Sequence, residues 1–129
     1  MSLTVTPLYG GIIGLLLVIL SFRVIFRRRA AGVSIGEGDD KDLRKRIRVH
    51  ANCTEYAPIG LLLLAMAELQ GAPIWVVHAL GLMLIGGRIS HAYGLGSTPQ
   101  VIPLRKIGML LTFLMLALTA LANIGHALI

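Results

Sequence analysis

The stretch Arg48-Val49-His50-Ala51-Asn52-Cys53-Thr54-Glu55-Tyr56-Ala57-Pro58 runs directly into Ile59-Gly60-Leu61-Leu62-Leu63-Leu64-Ala65-Met66-Ala67-Glu68-Leu69. Costly polar groups thus lead straight into a segment apolar enough for lipid. On a helix, Asn52 lies about 40° to one side of Arg48 and Glu55 about 20° to the other, so all three share one narrow face. Arg44 extends that face in one direction; Ile59, Leu62 and Met66 continue it in apolar form in the other. His50 points almost the opposite way. A charge at the bilayer centre costs about 2.5–3.5 kcal/mol on insertion scales, so such a residue turns toward a bundle interior or a cavity and finds a partner there. Two readings follow. Arg48 and Glu55 pair across about two turns, bridged by Asn52, and merely hold helices together. Alternatively, the stripe receives a polar ligand.

The rest of the chain supplies the setting. Its 129 residues are 56% hydrophobic, with mean hydropathy +0.81, and only 14% are charged. That composition indicates an all-α membrane protein of one domain. Four apolar segments predict a bundle of four transmembrane helices, with spans at about 7–26, 47–69, 73–93 and 101–128. Gln70-Gly71-Ala72-Pro73 reads as a tight turn that makes spans two and three antiparallel neighbours. The segment 30–42 reads as a longer loop. The N-terminal stretch lacks a basic n-region, so the first span is expected to be retained.

Nine of the twelve Lys and Arg residues lie between Arg23 and Arg48, and Arg105 and Lys106 open span four on the same side. The Gln70–Pro73 turn has none. This asymmetry places the first and third loops in the cytoplasm and both termini outside. The basic residues flank apolar segments without interleaved aromatics, which argues against a nucleic-acid partner. The single cysteine, Cys53, excludes an internal disulfide framework. It also excludes a multi-cysteine metal site, and no metal is expected. Cys53 itself reads as a packing residue. Glu68, beside the turn, reads as solvated, and His78 as the donor or acceptor of an interhelical hydrogen bond. Gly81, Gly86 and Gly87 suit close helix approach.

Every span brings cations to the cytoplasmic level. Span three contributes Arg88, with His91 on nearly the same face and Tyr93 beyond. Span four contributes Arg105 and Lys106, and span one ends with Arg23, Arg27, Arg28 and Arg29. A dense cationic pocket around the single carboxylate Glu55 suits a ligand with several carboxylates and an ammonium group. Glutathione has that pattern, together with a thiol.

The motif R-x-H-x-N-C-T-E-Y-x-P on a second span resembles the MAPEG family, the membrane-associated proteins of eicosanoid and glutathione metabolism. The likeness extends over nearly the whole chain. It includes the basic first loop, the short second loop, G-R-x-x-H on span three and P-L-R opening span four. The compact form is most similar to bacterial members. The resemblance implies a homotrimer of four-helix bundles with glutathione bound between neighbouring subunits. Carried over by position, it implies glutathione contacts for Arg48, His50, Asn52, Glu55, Tyr56, Arg88 and His91, with Arg23 or Arg27 as the basic contact from span one. Arg105 matches the arginine that stabilises the glutathione thiolate. Several animal members carry a tyrosine seven residues after the span-three arginine. Here that place is Leu95, and Tyr93 is the nearest phenol.

The expected function is therefore a glutathione-dependent transferase or peroxidase of the bacterial inner membrane. It would act on lipophilic electrophiles or hydroperoxides that arrive through the lipid, with the glutathione site facing the cytoplasm. The alternative is a non-catalytic lipid-binding or scaffold protein of the same fold. A small multidrug exporter would need an acidic residue in the middle of span one, and GGIIGLLLVIL at 10–20 has none.

Overall fold

Local signals start and stop each helix. The structure, a computed structural model, describes residues 2–129. Helix α1 spans Thr6–Ala31, with Pro7 in its first turn, where the missing N–H costs nothing. It ends at Gly32, whose φ of +68° is the left-handed stop that glycine adopts without strain. Helix α2 spans Lys41–Leu69 and starts on an Asp40 cap, whose carboxylate accepts from the Leu43 N–H at 2.7 Å. Helix α3 spans Ile74–Gly96, and α4 spans Ile102–Leu128 with Pro103 in its first turn. Three of the four, α1, α3 and α4, are long and apolar enough to cross a membrane. The polar N-terminal half of α2 sets it apart from the others.

Helices α1 and α2 run beyond the predicted spans, to Ala31 and back to Lys41. Hydropathy marks only the lipid-embedded part, whereas caps decide where the backbone stops turning. The predicted turn after α2 is present. Gly71 takes φ +89° and the Ala72 N–H reaches the Ala67 carbonyl at 3.0 Å.

Helices α2 and α3 pack together. Helix α1 lies against both on one side and α4 against both on the other; among the described residues α1 and α4 do not touch. The two loosest seams of the bundle are α1/α3 and α2/α4, on opposite sides of it. The α3–α4 contact is the closest. A Cβ on Gly94 would sit 2.4 Å from the Arg105 nitrogen, and one on Gly108 would sit 2.4 Å from the His91 nitrogen. Of the three glycines expected at close approaches, Gly81 faces the Tyr9 ring and Gly87 faces Thr112, but Gly86 has nothing within 4 Å.

At the end bearing the α2–α3 turn, Tyr9 Oη meets His78 Nδ1 at 2.8 Å, which supplies the interhelical bond expected of His78. Glu68 is not merely solvated. Its carboxylate accepts from the backbone N–H groups of Thr4, Val5 and Thr6, each at 2.7 Å, and so caps α1 from the end of α2. Those N–H groups carry the positive end of the α1 dipole, which favours a carboxylate there. Cys53 is buried as packing. At the opposite end the basic loops meet. Lys45 Nζ donates to the Ser97 carbonyl at 2.7 Å, and Arg27 pairs with Asp40 at 2.5 Å and Asp42 at 3.4 Å. The Arg27 guanidinium, foremost, and the Leu43 N–H hold the Asp40 carboxyl below its ordinary value.

Candidate functional site

The polar stripe of α2 forms on one face, as its spacing predicts, but the bundle divides it. Its Asn52–Tyr56 edge turns toward α3 and α4, and its Arg48–Glu55 edge stays on the outside. Arg88 crosses from α3 into the interior and is only 2% exposed. Its Nη1 donates to both the Asn52 side-chain oxygen and the Asn52 carbonyl. Nε and Nη2 donate to Thr112 Oγ1 at 3.1 and 2.8 Å, and Nη2 also reaches Met109 Sδ at 3.3 Å. The guanidinium lies 5.5 Å from the centre of the Tyr56 ring, which also makes a T-shaped contact with Phe113. Neutral acceptors and an aromatic face thus surround a buried cation, a favourable arrangement where water is absent.

Arg48 and Glu55 behave differently. Both are half exposed, at 56% and 50% of their side-chain surfaces, and their closest approach is 3.8 Å. That is a loose pair. Lys45 marks the loop level through its bond to Ser97, and Glu55 stands ten residues deeper, about 15 Å along the helix. A half-exposed carboxylate at that depth faces outward with little help from its own chain.

Arg105 lies on the outer face of α4, where Nη1 meets Gln100 Oε1 at 3.1 Å. It borders a 460 Å³ cavity that opens along the outer face of α4, lined by Ile102, Lys106, Met109, Leu110 and Phe113 of that helix alone. His91 is buried between α3 and α4, where a Cβ on Gly108 would sit 2.4 Å from its backbone nitrogen. Arg48, Arg88 and Arg105 come from three different helices, α2, α3 and α4. They do not share one cavity within the chain, as the sequence suggested, because the interior satisfies Arg88 with its own acceptors.

The remaining expected ligand contacts fall elsewhere. His50 faces α1, where Nε2 meets Ser21 Oγ at 3.1 Å, so it stands away from the stripe. Arg27 is committed to two aspartates. Arg23 and the 63% exposed Tyr93 line the opposite α1/α3 groove. Leu95 is buried in the core. Sequence reasoning missed Thr112 and Met109 as partners of Arg88. A signal was present, because Gly108, Thr112, Met115, Thr119 and Asn123 recur at helical spacing, and all five are buried. Such a stripe of small and polar residues marks the inner face of α4. Among the described residues no cluster of His, Cys, Asp and Glu side chains is placed to hold a metal ion.

This arrangement can be set beside known proteins. The pattern that defines the MAPEG family matches residues 6–125. The chain is 38% identical over 122 residues to "Inner membrane protein YecN" of Escherichia coli strain K12, a match covering 95% of this chain and 92% of that protein. The protein of the same name from Escherichia coli O6:H1 matches equally. With nearly the full chain inside the family pattern and a relative at this identity over almost its whole length, the protein belongs to the MAPEG family.

Proposed function

We propose that this protein is a glutathione-dependent transferase or peroxidase of the inner membrane, working as a homotrimer with its site at the seam between subunits. The carrying observation is the half-exposed Arg48–Glu55 pair, whose carboxylate stands about 15 Å along the helix from the loop-level Lys45, next to the saturated Arg88 cluster. Facing lipid, such a pair costs several kcal/mol. Covered by a neighbouring copy and a zwitterionic peptide, it becomes a recognition site. Arg48 suits a ligand carboxylate, and Glu55 suits the ammonium group. The family and the inner-membrane relative support this reading, as does the basic end shared by the first and third loops, which the positive-inside rule assigns to the cytoplasm.

Arg105 carries the chemistry. A thiol with an ordinary pKa of about 8.5 is mostly protonated at neutral pH, and a guanidinium beside the sulfur favours the thiolate. The apolar cavity under Arg105 would take a lipophilic second substrate arriving from the membrane. In conjugation, the thiolate sulfur attacks an electrophilic carbon, forms a C–S bond and expels the leaving group with its electron pair. In peroxide reduction, the sulfur attacks one peroxide oxygen and the O–O bond breaks. The alkoxide takes a proton to become the alcohol, and the sulfur is left as a sulfenic acid. A second glutathione then converts the sulfenic acid to the disulfide and water.

The scaffold reading has two observations in its favour. Arg88 is fully engaged within its own chain, and Leu95 offers no phenol to a ligand. Ultraviolet titration of the bound thiol separates the two. Purified protein with glutathione should develop thiolate absorbance at neutral pH. Arg105→Ala should remove more of that absorbance than of the binding. Absence of thiolate in the wild type, or equal loss of both in the variant, would remove Arg105 from this role.

A further inference from the structure

The groove on the opposite side of the bundle, between α1 and α3, lies outside the site described above. Near the turn end the two helices touch, with Tyr9 against Gly81 and His78. Toward the basic end they part and leave a 340 Å³ cleft. Its wall is apolar at Leu16 and Leu20 on α1 and at Ile89 and Ala92 on α3; Arg23 and Tyr93 stand at its mouth. From Leu16 to Arg23 the groove follows α1 for about 10 Å.

The Arg23 charge at the mouth is not consumed by the protein. Arg23 makes no ion pair among the described residues, whereas Arg27 is held by Asp40 and Asp42 and Arg44 by Glu37. Arg46 reaches the same mouth from α2. It shares a crevice with Arg23 that joins the cleft at Leu20, Ala92 and Gly96. Its Nη1 donates to the Arg23 carbonyl at 2.9 Å, and Asp42 lies 3.2 Å from its Nε. That Nε is nevertheless buried without an aligned acceptor. Two guanidiniums, one free and one incompletely satisfied, thus crown an apolar slot that opens sideways to the membrane.

We propose that this cleft is a binding site for an anionic phospholipid, with the headgroup phosphate at Arg23 and Arg46 and the start of one acyl chain between Leu16, Leu20 and Ile89. Charge complementarity selects the occupant. An uncharged lipid leaves the guanidiniums unanswered, and a free anion leaves the apolar wall bare. Basic pockets between helices on the cytoplasmic side are suited to anionic headgroups, and a tyrosine at the rim fits the interfacial zone. Arg46 lies about 160° around α2 from Arg48, so this site and the Arg48–Glu55 stripe occupy opposite faces of that helix and the lipid site does not depend on glutathione binding.

Native mass spectrometry of the detergent-purified protein tests the proposal. Phosphatidylglycerol and phosphatidylcholine of matched chains are titrated separately, with glycerol phosphate and glutathione as competitors. Phosphatidylglycerol should be retained in preference to phosphatidylcholine. Arg23→Gln should weaken its retention about fivefold, the value of one basic side chain near an anionic surface, and leave phosphatidylcholine unchanged. Arg23 is exposed, and its backbone carbonyl still serves Arg46 in the variant, so folding is expected to survive. Ala92→Leu, which narrows the slot, should weaken retention with the charges intact. Equal retention of the two lipids overturns the proposal, as does an unaffected Arg23→Gln variant. Displacement by glycerol phosphate alone would make the site a plain anion site, and displacement by glutathione would return Arg23 to the tripeptide; either overturns it.

Discussion

Arg88 and Arg48 are the same residue type, one helix apart and close to the same level of the bundle, yet the fold treats them in opposite ways. Arg88 is 2% exposed, and all three of its nitrogens find acceptors from α2 and α4. The side chain of Arg48 is 56% exposed and has one carboxylate at 3.8 Å. The first is a structural cation that ties three helices together. The second keeps most of its surface uncovered by the chain and is the one the proposed function assigns to a ligand. A membrane-embedded charge is informative about ligands only after its internal partners have been counted.

The contrast can be broken at its structural side first. Arg88→Ala should destabilise the detergent-solubilised protein by about 3–5 kcal/mol, because it leaves a cavity and strips Asn52 and Thr112 of their donor. Arg88→Met, which keeps the volume and removes the charge, should cost at least about 1 kcal/mol less, since a buried charge is expensive to desolvate. Unfolding in denaturing detergent reads both. Equal losses would mean that packing alone explains Arg88.

The scaffold that positions Arg88 gives the next effect. Gly108→Ala places a Cβ 2.4 Å from the His91 nitrogen and should cost about 1–3 kcal/mol, whereas Gly86→Ala meets open space and should be neutral or slightly stabilising. Similar thermal shifts for the two would contradict the close α3–α4 contact. At the far end, Glu68→Ala removes the cap on α1 and should cost about 1–2 kcal/mol, with faster hydrogen exchange at Thr4, Val5 and Thr6. Unchanged exchange there would show that the cap does not hold the helix start.

Much of this was readable from the residues. Long apolar runs and turn residues gave the four helices, and a 100° step per residue gave the α2 stripe with His50 on its other side, where Ser21 meets it. Periodicity reports which residues share a face of one helix. It does not report which neighbour covers that face. So Glu68 looked solvated until the fold brought the start of α1 to it, and Arg88 and Arg48 both read as ligand contacts until α4 supplied Thr112 and Met109 to Arg88. Arg23 and Arg27, indistinguishable in sequence, separate for the same reason. The 32–40 loop delivers Asp40 to Arg27, and nothing comparable reaches Arg23.

The most direct measurement follows the two properties of Arg48 in one variant. Arg48→Ala should leave the unfolding free energy within about 0.5 kcal/mol of wild type, as expected for an exposed, loosely paired charge. Calorimetric titration of the same preparation should show glutathione affinity falling by about tenfold or more, the cost of about 1.4 kcal/mol for a lost charged contact. Lost stability with unchanged glutathione affinity, or a wild type that gives no binding heat at millimolar glutathione, would contradict the assignment of Arg48 to a ligand.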